Sequence, residues 1–174
     1  MKYKFHHFLT DSILTEEIKG CCGIYYWLQG VIEWVDEDGN RWKTNRLTVS
    51  DGFSVPRAFW GMMKNLVSRL AGYCHDEEYW LQDFSKDIAD YNIFAGVLAQ
   101  CEGLSRWHQF KITIIAGIIW AGLRLGGWVA WNKYTRELEE HGRDAVLGAH
   151  TAKTLSEAKH IAMHGYEFRE EPHV

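Results

Sequence analysis

Two polar segments carry the residues of this chain that are best suited to chemistry. The first is 50–57, which reads SDGFSVPR, and the second is 74–79, which reads CHDEEY. Two further carboxylates, Asp87 and Asp90, follow the second segment. A hydroxyl, an imidazole and several carboxylates this close in sequence could provide a nucleophile, a base and ligands for a metal ion.

Metal binding is the first chemistry that this pattern indicates. His75 and Asp76 are neighbours, and successive side chains on a helix point about 100° apart, so both reach one ion only over the helix shoulder. Asp51 on the preceding loop and Asp90 or Asp87 on the next helix would complete the shell. The predicted ligands are therefore Asp51, His75, Asp76 and Asp90. This oxygen-rich set favours Mg²⁺ or Mn²⁺ over zinc.

Two other interpretations of the same residues stay open. In the first, Ser54 is a nucleophile, with His75 as its base and Asp90 behind the imidazole, although the chain has no Gly-x-Ser-x-Gly elbow. Ser54 also suits a helix cap before Pro56, which accounts for it without catalysis. In the second, His75 and Asp76 bond to the Ser54 loop as a buried structural polar cluster. The catalytic candidates are thus His75, Asp76 and Ser54.

Composition limits the classes of function. The 174 residues suffice for one domain with an additional segment. A formal net charge of −4 argues against non-specific nucleic-acid binding, which needs a basic surface. Four cysteines without a C-x-x-C spacing predict reduced, mostly buried thiols, the adjacent Cys21 and Cys22 included. Residues 1–7 are too polar for a signal peptide.

Residue patterning predicts an α+β fold whose strands come first. Residues 24–50 are rich in β-branched and aromatic side chains, which indicates a small antiparallel sheet of two to four strands. Asp38-Gly39 lies in a polar run typical of a tight turn between strands. Upstream, Asp11-Ser12 could cap a short helix.

A mainly helical bundle is predicted over residues 56–132, with a bend at Gly126-Gly127. Within residues 87–101, the expected buried side comprises Ile88, Tyr91, Phe94, Val97 and Leu98. The apolar run 112–123 is flanked by charges and is shorter than the ~20 residues that a membrane span requires. We therefore expect this run to be a buried core helix.

A polar helical extension is predicted over residues 133–174, after a single domain of residues 1–132. In this extension His160 and His164 lie one helical turn apart, and Glu157 shares their face. The spacing could suit a metal ion, but the His-Glu-x-x-His order of zinc proteases is lacking. We expect these to be surface histidines.

The segment 51–57, followed by Trp60, resembles the Asp-Gly-Ala-Ser-Ile-Pro-Arg motif of a small domain family common in phages and prophages, a domain of unknown function. That family pairs the motif with a helix of the pattern Ala-x-x-His-Asp-x-x-Tyr. The similar residues here are Ala71, one position out, His75, Asp76 and Tyr79. The chain departs from the pattern at Phe53 and at Glu77-Glu78. The resemblance covers residues 25–132.

The resemblance implies a phage or prophage origin and a place in the host cytoplasm or the virion. Together with the residues above, it leads to the hypothesis of a phage-encoded hydrolase-like protein centred on His75 and Asp76. A divalent metal would assist it, and a cell-wall or phosphoester polymer would be its substrate. The alternative is a non-catalytic phage interaction or virion-associated protein with a buried polar cluster. We expect a polymer or a phage or host protein as partner, and neither nucleic acid nor a membrane span.

Overall fold

The computed structural model describes residues 5–10, 15–21, 24–50, 69–100 and 103–168. These parts combine two small antiparallel sheets with several helices, which confirms the predicted α+β fold class. Asp51, Ser54 and the helix expected to begin near Pro56 lie outside the described residues.

Strands dominate the described residues up to position 50. They are β1 (Phe5–Phe8), β2 (Thr15–Lys19), β3 (Ile24–Leu28), β4 (Glu33–Asp36), β5 (Arg41–Lys43) and β6 (Val49–Ser50). One sheet has the order β1-β4-β5 and the other has the order β2-β3-β6, with antiparallel pairing throughout. The strands predicted within residues 24–50 are confirmed, and they are divided between the two sheets.

β2 stands where the sequence suggested a short helix after Asp11-Ser12. Thr15–Lys19 pairs along its whole length with β3 in antiparallel register. Ile18 is buried and packs in one cluster with Ala158 and Ala162 from the C-terminal part of the chain. Strand pairing and this distant packing outweigh the local capping signal, because propensity is a weak preference that tertiary contacts override.

The turn between β4 and β5 has the predicted Asp-Gly geometry. Gly39 adopts a φ of 81°, in the left-handed region that glycine reaches without strain. The carboxylate of Asp36 accepts the backbone N–H groups of Asp38 and Asn40 and the indole N–H of Trp42, each at 2.9 Å. Burial opposes ionisation of Asp36, but the hydrogen bonds from Asn40 and Trp42 outweigh it and hold its pKa below the ordinary value.

Helices make up most of the remaining described chain. They are α1 (Arg69–Leu81), α2 (Lys86–Ala99), α3 (Arg106–Gly126), α4 (Trp128–His141), α5 (Arg143–Ala149) and α6 (Leu155–His164). The bend predicted at Gly126-Gly127 separates α3 from α4 and is confirmed. Every residue from Leu70 to Leu81 is buried, so α1 is enclosed by the rest of the protein.

α2 turns a different side to the core from the one that we predicted. Its buried residues are Lys86, Ala89, Asp90, Asn92, Ile93, Gly96 and Val97, of which only Val97 was expected. The polar members are tolerated because α1 supplies their partners. Asp90 accepts a hydrogen bond from Tyr79, and Asn92 donates one to Glu78.

α3 buries one side and exposes the other. The buried side consists of Ile112, Ile115, Ala116, Ile119 and Leu123. It packs in one cluster with Ile93 and Val97 of α2. The run 112–123 is not buried throughout, as was expected, because Ile114, Ile118 and Trp120 are exposed. Among the described residues, α3 is the helix long and apolar enough to cross a membrane by length and composition.

The C-terminal helices pack onto the sheet formed by β2, β3 and β6. Trp27 of β3 donates its indole N–H to the carbonyl of Ala152 at 2.9 Å. Val49 of β6 donates its backbone N–H to the carbonyl of His150, also at 2.9 Å. The boundary predicted after residue 132 falls inside α4. Residues of the predicted extension therefore share a core with the strands.

The two cysteines within the described residues differ in environment. Cys21 is exposed, contrary to the expected burial, whereas Cys74 in α1 is buried. Cys22 and Cys101 lie outside the described residues. Burial, followed by the nearby carboxyls of α1, raises the pKa of the Cys74 thiol well above its ordinary value. Cys74 is therefore held as a neutral thiol, which is a poor nucleophile.

Candidate functional site

α1 carries five consecutive polar or ionisable side chains into the protein interior. We call them the α1 polar cluster: His75, Asp76, Glu77, Glu78 and Tyr79. Their exposed fractions lie between 1% for His75 and 9% for Glu77. Because an unsatisfied buried polar group costs about 1–3 kcal/mol, such a helix is stable only if other elements supply partners.

The end of β6 supplies the hydrogen-bond partner of Asp76. The hydroxyl of Ser50 donates to the carboxylate of Asp76, and both side chains are buried. Nδ1 of His75 lies 3.9 Å from the other carboxylate oxygen of Asp76. The His75 ring packs on the ring of Tyr79, with centroids 4.2 Å apart. Asp76 is thus tied to a strand through Ser50, and the His75 ring lies beside it.

Asp90 on α2 is engaged by two donors. The hydroxyl of Tyr79 donates to one carboxylate oxygen at 2.5 Å, and the ammonium of Lys86 donates to the other at 2.6 Å. Lys86 also donates to the carbonyl of Leu123 at 2.8 Å. Burial and the hydrogen bond to Asp90 raise the pKa of Tyr79, so the phenol stays protonated as a donor. Asp87, the alternative ligand, pairs with Arg124.

The two glutamates of the cluster are held by asparagines. Glu77 accepts the backbone N–H of Asn45 at 2.8 Å and its side-chain amide at 3.0 Å. Glu78 accepts the side-chain amide of Asn92 at 2.9 Å. Burial raises the pKa of Glu77 to about 7, against the opposing effect of Asn45, and raises that of Glu78 well above its ordinary value. Both carboxyls therefore retain protons at pH values where exposed glutamates are ionised.

The described residues do not by themselves fit a divalent ion. Among them, no three His, Cys, Asp or Glu side chains meet in a group that could hold a metal. Asp90 has its oxygens bonded to Lys86 and Tyr79, and the Lys86 ammonium already compensates its charge. The fourth predicted ligand, Asp51, and the candidate nucleophile Ser54 both lie outside the described residues.

The remaining histidines of interest lie in the C-terminal part. His160 and His164 are exposed neighbours on α6, with ring centroids 4.8 Å apart, as expected of surface histidines. The sequence did not single out His150, which is buried between the rings of Trp80 and Tyr166, both at 4.0 Å. Burial, with a smaller contribution from Lys133, lowers the pKa of His150 to about 3.

Sequence reasoning missed Asn45 and Asn92, which bond to the cluster, and Lys86, which bonds to Asp90. Ser50 lies in the segment 50–57 that the sequence singled out. Lys86 had a local signal, since it precedes Asp90 by one helical turn, a spacing that favours an ion pair. Asn45 had none, because it is 32 residues from Glu77 in sequence. Only the folded chain brings them together.

No protein-family model, curated protein or solved structure matches the chain. The resemblance of residues 25–132 to the phage domain family therefore stays a prediction from the motifs at Asp51–Arg57 and His75-Asp76.

Proposed function

We propose that this chain is a non-catalytic interaction protein, of phage origin as the sequence resemblance implies, in which the α1 polar cluster stabilises the fold. The observation that carries the proposal is the closure of the cluster. His75 and Asp76 are 1% and 3% exposed, and Asp76 is bonded to Ser50 of the sheet. A catalytic group must reach its substrate, whereas a structural cluster is enclosed and bonded.

The bonding pattern supports the same function. Asp90 is compensated by Lys86, and Lys86 in turn bonds to the last turn of α3. A buried charge pair of this kind connects helices, and both carboxylate oxygens of Asp90 already accept hydrogen bonds. Breaking such a pair costs about 3–5 kcal/mol, because the remaining charge is left buried and uncompensated.

Asp76→Asn tests this proposal. Asparagine keeps the shape of the side chain but replaces the charged carboxylate, which accepts the hydrogen bond from the Ser50 hydroxyl, with a neutral amide. Because hydrogen bonds to charged groups contribute about 1.5–3 kcal/mol, we expect the free energy of unfolding to fall by about that amount. Thermal and urea unfolding of both proteins, in chelator and in added Mg²⁺ or Mn²⁺, should show the same difference under each condition.

Asp144→Asn is the matched control, since Asp144 is exposed on α5 and undergoes the same chemical change. Its stability should stay within about 0.5 kcal/mol of the wild type. Stabilisation of the wild-type protein by Mg²⁺ or Mn²⁺ that is lost in Asp76→Asn would overturn the structural function and favour a metal site.

The second candidate function is a hydrolase centred on His75 and Asp76. It is favoured by the pKa of Glu77, which burial raises to about 7, a value suited to general acid–base catalysis near neutral pH. This candidate requires metal-dependent stability in the experiment above, if Asp51 completes a shell with His75 and Asp76. It also requires that Glu77→Gln abolish hydrolysis of a phosphoester or cell-wall polymer by the wild-type protein.

A further inference from the structure

α3 exposes several large apolar side chains along one side. We call them the α3 stripe: Trp107, Phe110, Ile114, Ile118 and Leu125. Their exposed fractions range from 38% for Ile118 to 87% for Leu125. The residues follow one another at helical spacing, so they share one side of α3, opposite the side that packs on α2.

The stripe is long for an exposed apolar surface. From Trp107 to Leu125 it extends about 27 Å at 1.5 Å per residue. On the first turn of α4, Trp128 is 50% and Val129 is 81% exposed as well. Large exposed apolar surfaces of this kind mark interaction sites, because apolar side chains are stabilised by burial and not by contact with water.

The cations that flank the stripe favour an anionic partner, although one of them, Arg124, is already paired with Asp87 of α2. All charged residues of α3 are cationic, namely Arg106, Lys111 and Arg124, although the whole chain has a formal net charge of −4. At about 100° per residue, Arg106 and Arg124 fall on one flank of the stripe and Lys111 falls on the other. The ammonium of Lys111 lies 4.9 Å from the ring centre of Trp107. A second copy of this helix would bring cations against cations.

We propose that the α3 stripe docks on the surface of an anionic lipid bilayer, with the axis of α3 lying in the plane of the headgroups. An apolar stripe with tryptophan and phenylalanine, flanked by arginine and lysine, is the pattern of an interfacial helix. Tryptophan favours the membrane–water interface, and lysine and arginine bind anionic headgroups. The opposite side of α3 stays packed on α2, so the helix lies on the membrane and does not cross it.

This inference names the partner of the interaction protein proposed above and rests on that proposal. The two are separable by experiment, because lipid binding and metal-dependent unfolding are different measurements. If the protein does not bind lipid, the proposed structural function of the α1 polar cluster is unaffected.

Sedimentation of the full chain with lipid vesicles tests the docking surface. We expect binding to vesicles of mixed phosphatidylglycerol and phosphatidylcholine, weaker binding as salt is added, and little binding to pure phosphatidylcholine. Ile114→Glu should weaken binding at least about tenfold, since it places a charge in the part of the stripe that would enter the bilayer interface. Met163→Glu on α6 is the matched control, because Met163 and Ile114 are both 47% exposed.

Two charge-reversal variants test the electrostatic contribution to lipid binding separately. Lys111→Glu should weaken binding by at least about fivefold, because a cation near an anionic surface contributes attraction that its reversal turns into repulsion. Lys159→Glu, on the exposed side of α6, changes the net charge equally and should bind as the wild type does. Circular dichroism of each variant verifies that it is folded.

Two results would overturn the proposal. One is binding to phosphatidylglycerol vesicles that Ile114→Glu and Lys111→Glu leave unchanged. The other is an absence of binding to any of the vesicles. If the protein then forms a dimer that Ile114→Glu dissociates, the occupant of the stripe is a second copy of the chain.

Discussion

Glu77 lies in a nearly dehydrated site where both of its donors come from one residue, Asn45. The two hydrogen bonds favour the ionised carboxylate, but burial is the larger effect and raises the pKa to about 7 from 4.5. The folded protein therefore binds a proton at Glu77 more tightly than the unfolded chain does. Between about pH 4.5 and pH 7, this difference makes the free energy of unfolding decrease as the pH rises.

Glu77→Gln should remove this pH dependence. Glutamine keeps the length of the side chain and an oxygen for Asn45, but it does not ionise. Because one pKa unit corresponds to about 1.4 kcal/mol, we expect the variant to gain on the order of 3 kcal/mol relative to the wild type between pH 4.5 and pH 8. Urea unfolding at a series of pH values measures the difference.

Glu139→Gln on the exposed side of α4 is the control, and its profile should parallel that of the wild type. The pH dependence of each variant must be compared with that of the wild type, because His150 changes the free energy of unfolding with pH in the opposite direction. Its pKa is lowered to about 3, so the folded state loses stability as the pH falls from 6.5. If the difference in unfolding free energy between Glu77→Gln and the wild type stays constant over this range, folding does not raise the pKa of Glu77 and the prediction is wrong.

At the residue scale, the sequence predicted the location of the polar cluster but not its environment. The density of ionisable groups at residues 74–79 is visible without a structure. Their burial had a partial signal, since Glu77 falls at helical spacing from Cys74 and Trp80 and so shares a face with them. Ser50 lies in the polar segment 50–57 that the sequence singled out, but its bond to Asp76 could not be inferred, because it depends on how β6 meets α1.

At the scale of elements, Gly127 determines how closely the junction of α3 and α4 approaches α1. A Cβ atom at this position would lie 2.5 Å from the hydroxyl of Tyr79, 2.6 Å from the carbonyl of Leu123 and 3.1 Å from Nζ of Lys86. These are the groups that surround Asp90. The backbone φ of −64° is open to any residue, so the requirement for glycine is one of space.

Gly127→Ala should therefore destabilise the protein, by about 1–3 kcal/mol, the usual cost of overpacking a filled interior. Gly122→Ala in α3 is the matched control, because an added Cβ there meets no atom within 4 Å. Since alanine favours a helix over glycine by about 1 kcal/mol, this control should be slightly more stable than the wild type. Urea unfolding distinguishes them, and equal stability of both variants would contradict the close approach at Gly127.

Features of the helices could be predicted where the sequence signal is local. They could not be predicted where they depend on contacts with another element. The bend at Gly126-Gly127 follows from two adjacent glycines. The buried side of α2 did not follow from its apolar residues, because hydrophobic spacing selected Ile88 and Phe94, which are only partly buried. Asp90 and Asn92 take the interior positions, since α1 offers them hydrogen bonds that no pattern within α2 reveals.

At the scale of the whole molecule, the strands and the C-terminal helices form one hydrophobic cluster. Its fully or nearly fully buried members are Ile18, Trp27, Val49, Ala152, Ala158 and Ala162. Small side chains on α6 allow the helix to lie close to β2 and β3. Neither sheet nor helix could bury this surface alone, so we expect the described parts of the chain to unfold together.

Trp27→Phe should lower the stability of both regions together. It removes the hydrogen bond to Ala152 and part of the buried ring, at a cost of about 1–3 kcal/mol. Trp107→Phe, at a position that is 61% exposed, should cost less than about 0.5 kcal/mol. Far-ultraviolet circular dichroism and fluorescence should report coincident urea transitions in each protein. Separate transitions would instead make residues 133–174 an independent unit.

The hydrogen bond from Val49 to His150 has a consequence for the order of events on the ribosome. Residues of β3 and β6 are synthesised well before the carbonyls of His150 and Ala152 that complete their surroundings. Until those residues emerge, the sheet has an uncovered apolar side and backbone groups without their final acceptors. Contacts between such distant parts of a chain form slowly. During that period the nascent chain exposes apolar surface that can aggregate, and a pause in translation near residue 150 would prolong the exposure.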